Sequence, residues 1–198
     1  MKKAYRFTLV ELLAVVALIA ILSAIGFGSY SYAMGRAKES STQALLKQLE
    51  AGLESFHAKN GYYPQSGGTF QNITVQFDST GVVSSLDFGS STGKLVRATG
   101  TARADRMKTE LLESFTRSLD VEALKKHLNA SGVIEDAWGA AVYYCAPGRF
   151  NKGSFDLISA GPDGKFGKDG ANDPTEITDR TQYRTDAGEA LCDDLFNF

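Results

Sequence analysis

Soft-metal and redox chemistry is nearly absent from this chain. Its 198 residues hold two cysteines, Cys145 and Cys192, and two histidines, His57 and His127. No CxxC or HxxxH spacing occurs, which removes a zinc module built from four Cys and His ligands. An excess of one charge is lacking too: 21 basic residues meet 23 acidic ones, and the pI is ≈ 5.7. That balance excludes nucleic-acid binding driven by whole-chain charge. There is no Walker loop, Gly-x-Ser-x-Gly elbow or His-Glu-x-x-His pair, so nothing signals an ATPase, a hydrolase or a metalloprotease. What remains is the balance of an ordinary folded protein, 43% hydrophobic and 22% charged. A mass of 21.3 kDa leaves room for one domain plus an appendage.

The apolar residues are front-loaded. Residues 1–6 form a basic head with Lys2, Lys3 and Arg6, and the run from Phe7 to Ile25 is broken only by Thr8, Glu11 and Ser23. A spanning helix takes about 20 apolar residues, and 7–28 meets that length. The basic head would stay in the cytoplasm while the rest crosses outward. A cleaved secretory signal fits less well, because the small residues at Ser23 and Ala24 match its cleavage pattern weakly. Glu11 is what a plain anchor does not explain. An ionisable group at the centre of a spanning helix costs about 2.5–3.5 kcal/mol and marks a function.

Beyond the apolar run the helical pattern continues but turns amphipathic. Leu45, Leu49, Leu53 and Phe56 fall on one face of a 3.6-residue period, with Lys38, Glu39, Lys47, Glu50 and Glu54 elsewhere. Residues 29–60 are therefore the outer half of the same helix. It should stop at Asn60-Gly61, with Pro64 just beyond. Phe70–Phe77 and Val82–Phe88 flank Asp78-Ser79-Thr80-Gly81 and predict a hairpin. Met107, Leu111, Phe115 and Leu119 predict one or two helices over 103–128, broken near Asp120. Alternation over 141–145 and the apolar run 155–159 read as strands. His57 and the single tryptophan, Trp138, have no partner motif and read as structural. The sequons at Asn72 and Asn129 are common by chance.

Four strings together resemble the pilin-like family, and within it the major pseudopilins of type II secretion. Phe7-Thr8-Leu9-Val10-Glu11-Leu12-Leu13 is similar to the prepilin FTLxELL signature. Phe56-His57-Ala58-Lys59-Asn60-Gly61-Tyr62-Tyr63-Pro64 resembles the run where the long helix hands over to the head. Asp136-Ala137-Trp138-Gly139 resembles the entry to the head's sheet. Ser159 to Asp173, with Gly161, Asp163, Gly164 and Gly167, resembles a calcium-holding loop. The resemblance covers about 1–64 and 136–177, and residues 65–130 look like an insertion.

The resemblance implies an α+β fold: a long N-terminal helix on a small antiparallel-sheet head, 61–198, with a helical and hairpin insertion. It implies a structural subunit of a periplasmic pseudopilus, stored in the bacterial inner membrane as a single-pass protein. A type IV pilin is the first rival and a membrane-anchored enzyme the second. A prepilin peptidase would cut between Arg6 and Phe7 and methylate the new amine, although the family has Gly where this chain has Arg6. Glu11 would offset the terminal amine of a neighbouring subunit during assembly. Partners would be further copies, other pseudopilins, membrane lipid, and an inner-membrane platform with a separate ATPase. Calcium would bind the loop through Asp163 and Asp173, with Asn172, Asp169 and carbonyls near Ala160 completing the shell.

Residue chemistry points the same way for the loop. Its glycines allow inward carbonyls, its acids supply hard oxygens, and it has no Cys or His. A solvated acidic turn remains the plain alternative. Ten acids against four bases lie between Asp156 and Phe198, a repulsion that a divalent cation would relieve. Cys145 and Cys192 would both lie on the oxidising side, where a disulfide would pin the tail; free buried thiols are the other possibility.

Overall fold

In the computed structural model, residues 8–184 and 192–197 are described, with residues 24–29 described as backbone only. Helix α1 is one unbroken helix of 52 residues, Leu9–Asn60. The chain divides into two compact units at Lys38 and Glu39. In the first unit, every large apolar side chain described from Leu9 to Leu22 is more than half exposed. Among the described residues, no helix is long and apolar enough to cross a membrane. The expected span of 7–28 includes Phe7 and the side chains of 24–28, which lie outside the described part.

In the second unit the helix carries the predicted stripe. Leu45, Leu49, Leu53 and Phe56 are at most 2% exposed, and Thr42 and Leu46 extend the same face. The helix stops where the sequence indicates. Gly61 adopts φ +78°, a left-handed conformation that glycine takes at no steric cost, and its N–H donates to His57 O at 2.7 Å. Tyr63 then folds back, stacking on the His57 ring at 4.2 Å and donating to Glu54.

Two antiparallel sheets form among the described residues. One has the order β1-β5-β6-β7, from β1 (Gln71–Asn72), β5 (Tyr143–Cys145), β6 (Asp156–Ser159) and β7 (Leu195–Phe196). The other has the order β2-β3-β4, from β2 (Thr74–Phe77), β3 (Val83–Asp87) and β4 (Lys94–Val96). The predicted hairpin is β2–β3. Its turn is tied by Asp78, which accepts the N–H groups of Thr80 and Val82 and the Thr80 hydroxyl. Strand β4 was not expected, and neither was β1's place in the other sheet.

Helix α2 (Arg103–Thr116) and α3 (Val121–Lys125) break as predicted at Asp120, whose carboxylate caps α3 by accepting the Ala123 N–H. Phe115 and Leu112 are fully buried, whereas Met107, expected on the core face, is 55% exposed. The α2 stripe starts later than the periodicity suggested, because only the helix's second half lies against a neighbour. There Gly52 of α1 lets Phe115 and Leu119 approach; a Cβ would meet Leu119 Cδ2 at 3.3 Å.

Strands β5 and β6 are a wall with a core on each face. Val142, Tyr144, Phe155 and Leu157 join the α1 stripe, Phe88 and Phe115 in the larger cluster. Cys145 and Ile158 face the other way, into a smaller cluster with Phe70, Phe166, Ile177 and Tyr183. The period of 2 makes this split obligatory. The wall thereby carries the loop that follows β6.

Candidate functional site

Two regions hold the residues singled out by sequence: the start of α1 and the loop from Ser159 to Asp179. At the helix start, Arg6 and Phe7 lie outside the described residues. Glu11 is described, and one oxygen of its carboxylate is engaged locally. Glu11 Oε2 accepts the Thr8 N–H at 2.8 Å and the Thr8 hydroxyl at 2.9 Å, and the Glu11 N–H donates back to Thr8 Oγ1 at 3.2 Å. This is a capping box, in which a Thr and the Glu three residues on satisfy each other's backbone donors at a helix start. Sequence reading treated Thr8 only as a break in the apolar run, although the T-x-x-E spacing was there to be read.

The β5 entry turn behaves as its sequence suggested. Asp136, 4% exposed, accepts the N–H groups of Trp138 and Ala140 and the hydroxyl of Ser159. Ala137 N–H donates to Thr42 of α1 at 3.1 Å. Trp138 is half-buried in this turn. Asp136 was read as part of a string; its role as the clamp between the turn and β6 comes only from register. Asp156 is a second buried clamp, accepting the N–H groups of Phe150 and Asn151. Burial pushes its carboxyl above the ordinary range against those hydrogen bonds.

In the loop, the five expected ligand residues do not converge. Ala160 is buried, on the way into a short turn at Gly161–Asp163. Asp163 is exposed, and its Oδ1 accepts the Lys165 N–H at 2.8 Å. Asp173 is exposed and caps the turn Pro174–Glu176 by accepting the Thr175 N–H at 2.7 Å. Asn172 Oδ1 accepts from the Lys165 ammonium. Asp169 and Asn172 do share one cleft of ≈ 370 Å³, together with Glu176 and Asp179. Asp179 stands too far along the chain for a loop motif to include it.

Among the described residues, no group of three or more His, Cys, Asp or Glu side chains could hold a metal ion. A calcium shell takes roughly 6–8 converging oxygens. Asp163 and Asp173 each have one oxygen turned to an N–H of their own turn, and the Asn172 oxygen is turned to an ammonium.

The expected disulfide is not formed; Cys145 and Cys192 are free thiols. Cys145 is buried in the smaller core, and Cys192 packs against that same cluster. Burial pushes the Cys145 thiol up, and burial with the neighbouring Asp194 carboxylate pushes Cys192 up to about 12. Asp194 instead ties the tail to the loop, its Oδ2 accepting the Gly167 N–H at 2.6 Å.

Residues 109–178 match the family described as Type II secretion system (T2SS), protein G. The match begins within α2, inside the stretch expected to be an insertion, and runs through β5, β6 and the loop. No curated protein and no solved structure matches the chain. The matched residues lie in the head, so that part of the chain is similar to the type II secretion protein G family, in agreement with the strings at Asp136 and Ser159.

Proposed function

We propose that this chain is a structural subunit that assembles through α1 into a periplasmic pseudopilus driving protein secretion. The observation that carries the reading is the contrast within α1. Its residues from Leu9 to Leu22 are apolar on every face and exposed, while Leu45 to Phe56 bury one stripe in the head. A helix apolar all round is stable in lipid or among other such helices. A subunit stored in the inner membrane and then packed into a filament core meets both conditions in turn.

In this reading the prepilin peptidase removes residues 1–6 and exposes the Phe7 amine. Arg6 adds bulk and charge at the cut, so processing is slower than for Arg6→Gly. Glu11 enters the membrane with its carboxylate already bonded to Thr8, which lowers the cost of carrying it there. In the filament it offsets the amine of a neighbouring subunit, since either charge unpaired in an apolar core costs several kcal/mol. The motor is a separate cytoplasmic ATPase acting through the assembly platform, with other pseudopilins as partners.

Deleting the gene and assaying exported proteins tests the proposal. Loss of secretion with surface fibres intact supports it. Normal secretion with loss of surface fibres would point to a type IV pilin instead.

A further inference from the structure

The loop after β6 gathers oxygen donors, and the chain's own cations reach them. Arg149, on the connection from β5 to β6, donates from Nη1 to the carbonyl of Thr175 at 2.8 Å and that of Ile177 at 2.9 Å. These bonds cross 26 and 28 residues. The guanidinium lies 5.8 Å from the centre of the Phe70 ring, which fixes its plane at the edge of the smaller core. At the other end of the loop, Lys165 donates from its ammonium to Asn172 Oδ1 and from its backbone to Asp163 Oδ1.

Between them the loop is braced by backbone pairing and by the smaller core. Phe166 and Ala171 exchange both backbone hydrogen bonds at 2.8 Å. Lys168 N–H donates to Gln182 O at 2.9 Å. Phe166, Ile177 and Tyr183 are buried beneath.

We propose that this loop is held by the chain's own cations, Arg149 and Lys165, in place of a bound metal ion. The guanidinium takes the two carbonyls around the 174–177 turn, and the ammonium takes the Asn172 amide oxygen. Both bonds come from the one Nη1 group, whose two hydrogens bridge the two carbonyls on a permanently charged guanidinium. A fixed positive charge within bonding reach of the same oxygens also repels a divalent ion. The loop's order is then independent of calcium. This inference stands apart from the assembly reading, because it concerns only the head.

The test uses the full chain in detergent, melted in calcium at about 5 mM, above the range of extracellular sites, and again with a chelator. The two curves should coincide. A saturable rise of more than about 3 °C with calcium overturns the proposal. Arg149→Gln should lower the melting temperature by roughly 4–8 °C in both conditions. It should also speed amide exchange at Glu176 and Ile177, whose N–H groups close the turn that Arg149 holds. An unchanged melting temperature with unchanged exchange there overturns the assignment. Should Arg149→Gln not fold, Lys165→Gln at the surface serves instead. It should speed exchange at Ala171 and Phe166 without making the protein calcium-responsive, and unaltered exchange counts against the proposal.

Discussion

The two ends of α1 continue one helix and meet opposite fates. Residues 9–22 use Leu, Ile, Val and Ala with a single acid, and their large side chains are exposed. Residues 42–56 use Leu and Phe at every third or fourth position among Lys, Gln and Glu, and the apolar set is buried. The number and placement of polar residues separate them. A polar face commits a helix to one partner on the other face, whereas a helix apolar all round needs a surround. In the proposed reading, the same contrast gives the two ends different work, stability at one and assembly at the other.

Four substitutions break or sharpen that contrast, each read by thermal melting of the full chain in detergent. Phe56→Ala should be the largest, costing about 3–5 kcal/mol, since the ring is fully buried against Tyr62 and Phe115. Asp194→Asn should act next and through pH. Burial first, and the nearby acids Asp193 and Asp163 after it, raise the Asp194 carboxyl to about 6. The folded state therefore holds this proton more tightly than the unfolded one. Wild-type stability should fall by about 3 kcal/mol as pH rises from about 4 through about 6, and recover as pH drops again. The Asn variant should lack this change, since its amide oxygen still accepts the Gly167 N–H. Gly61→Ala should cost about 1–2 kcal/mol, because nothing crowds a Cβ there and only the left-handed backbone penalises it. Leu18→Ala should leave the melting of the head within about 0.5 kcal/mol of wild type.

Much of the fold was legible because it is local. The α1 stripe follows from a 3.6-residue period, the stop at Gly61 from a φ that few other residues adopt, and the hairpin turn from Asp78. The break at Asp120 is a capping residue in its usual place. What escaped was set by pairing between distant segments. Strand β4 is three residues beginning with an exposed lysine, too short for alternation to register. Met107 kept the helical period yet faces solvent, because period does not say where a neighbouring helix ends. The smaller core draws on Phe70, Phe166, Ile177 and Tyr183, at no regular spacing. The same gap misled the reading of the tail. Two cysteines suggested a bridge, but both are free thiols, and Asp194 holds the tail. In the loop, acids and glycines announced oxygen donors, whereas Arg149, 26 residues from the carbonyls it binds, could not be placed there by spacing.

The central claim is that the apolar end of α1 is for assembly, with Glu11 as its registry charge. Pseudopilus yield from Glu11→Ala, measured alongside the amount of subunit in the inner membrane, tests it most directly. The account predicts membrane levels equal to wild type and filament yield reduced at least about tenfold, as a charge left unpaired in an apolar core requires. Wild-type filament yield from Glu11→Ala would contradict it, and would leave Glu11 as no more than the capping partner of Thr8.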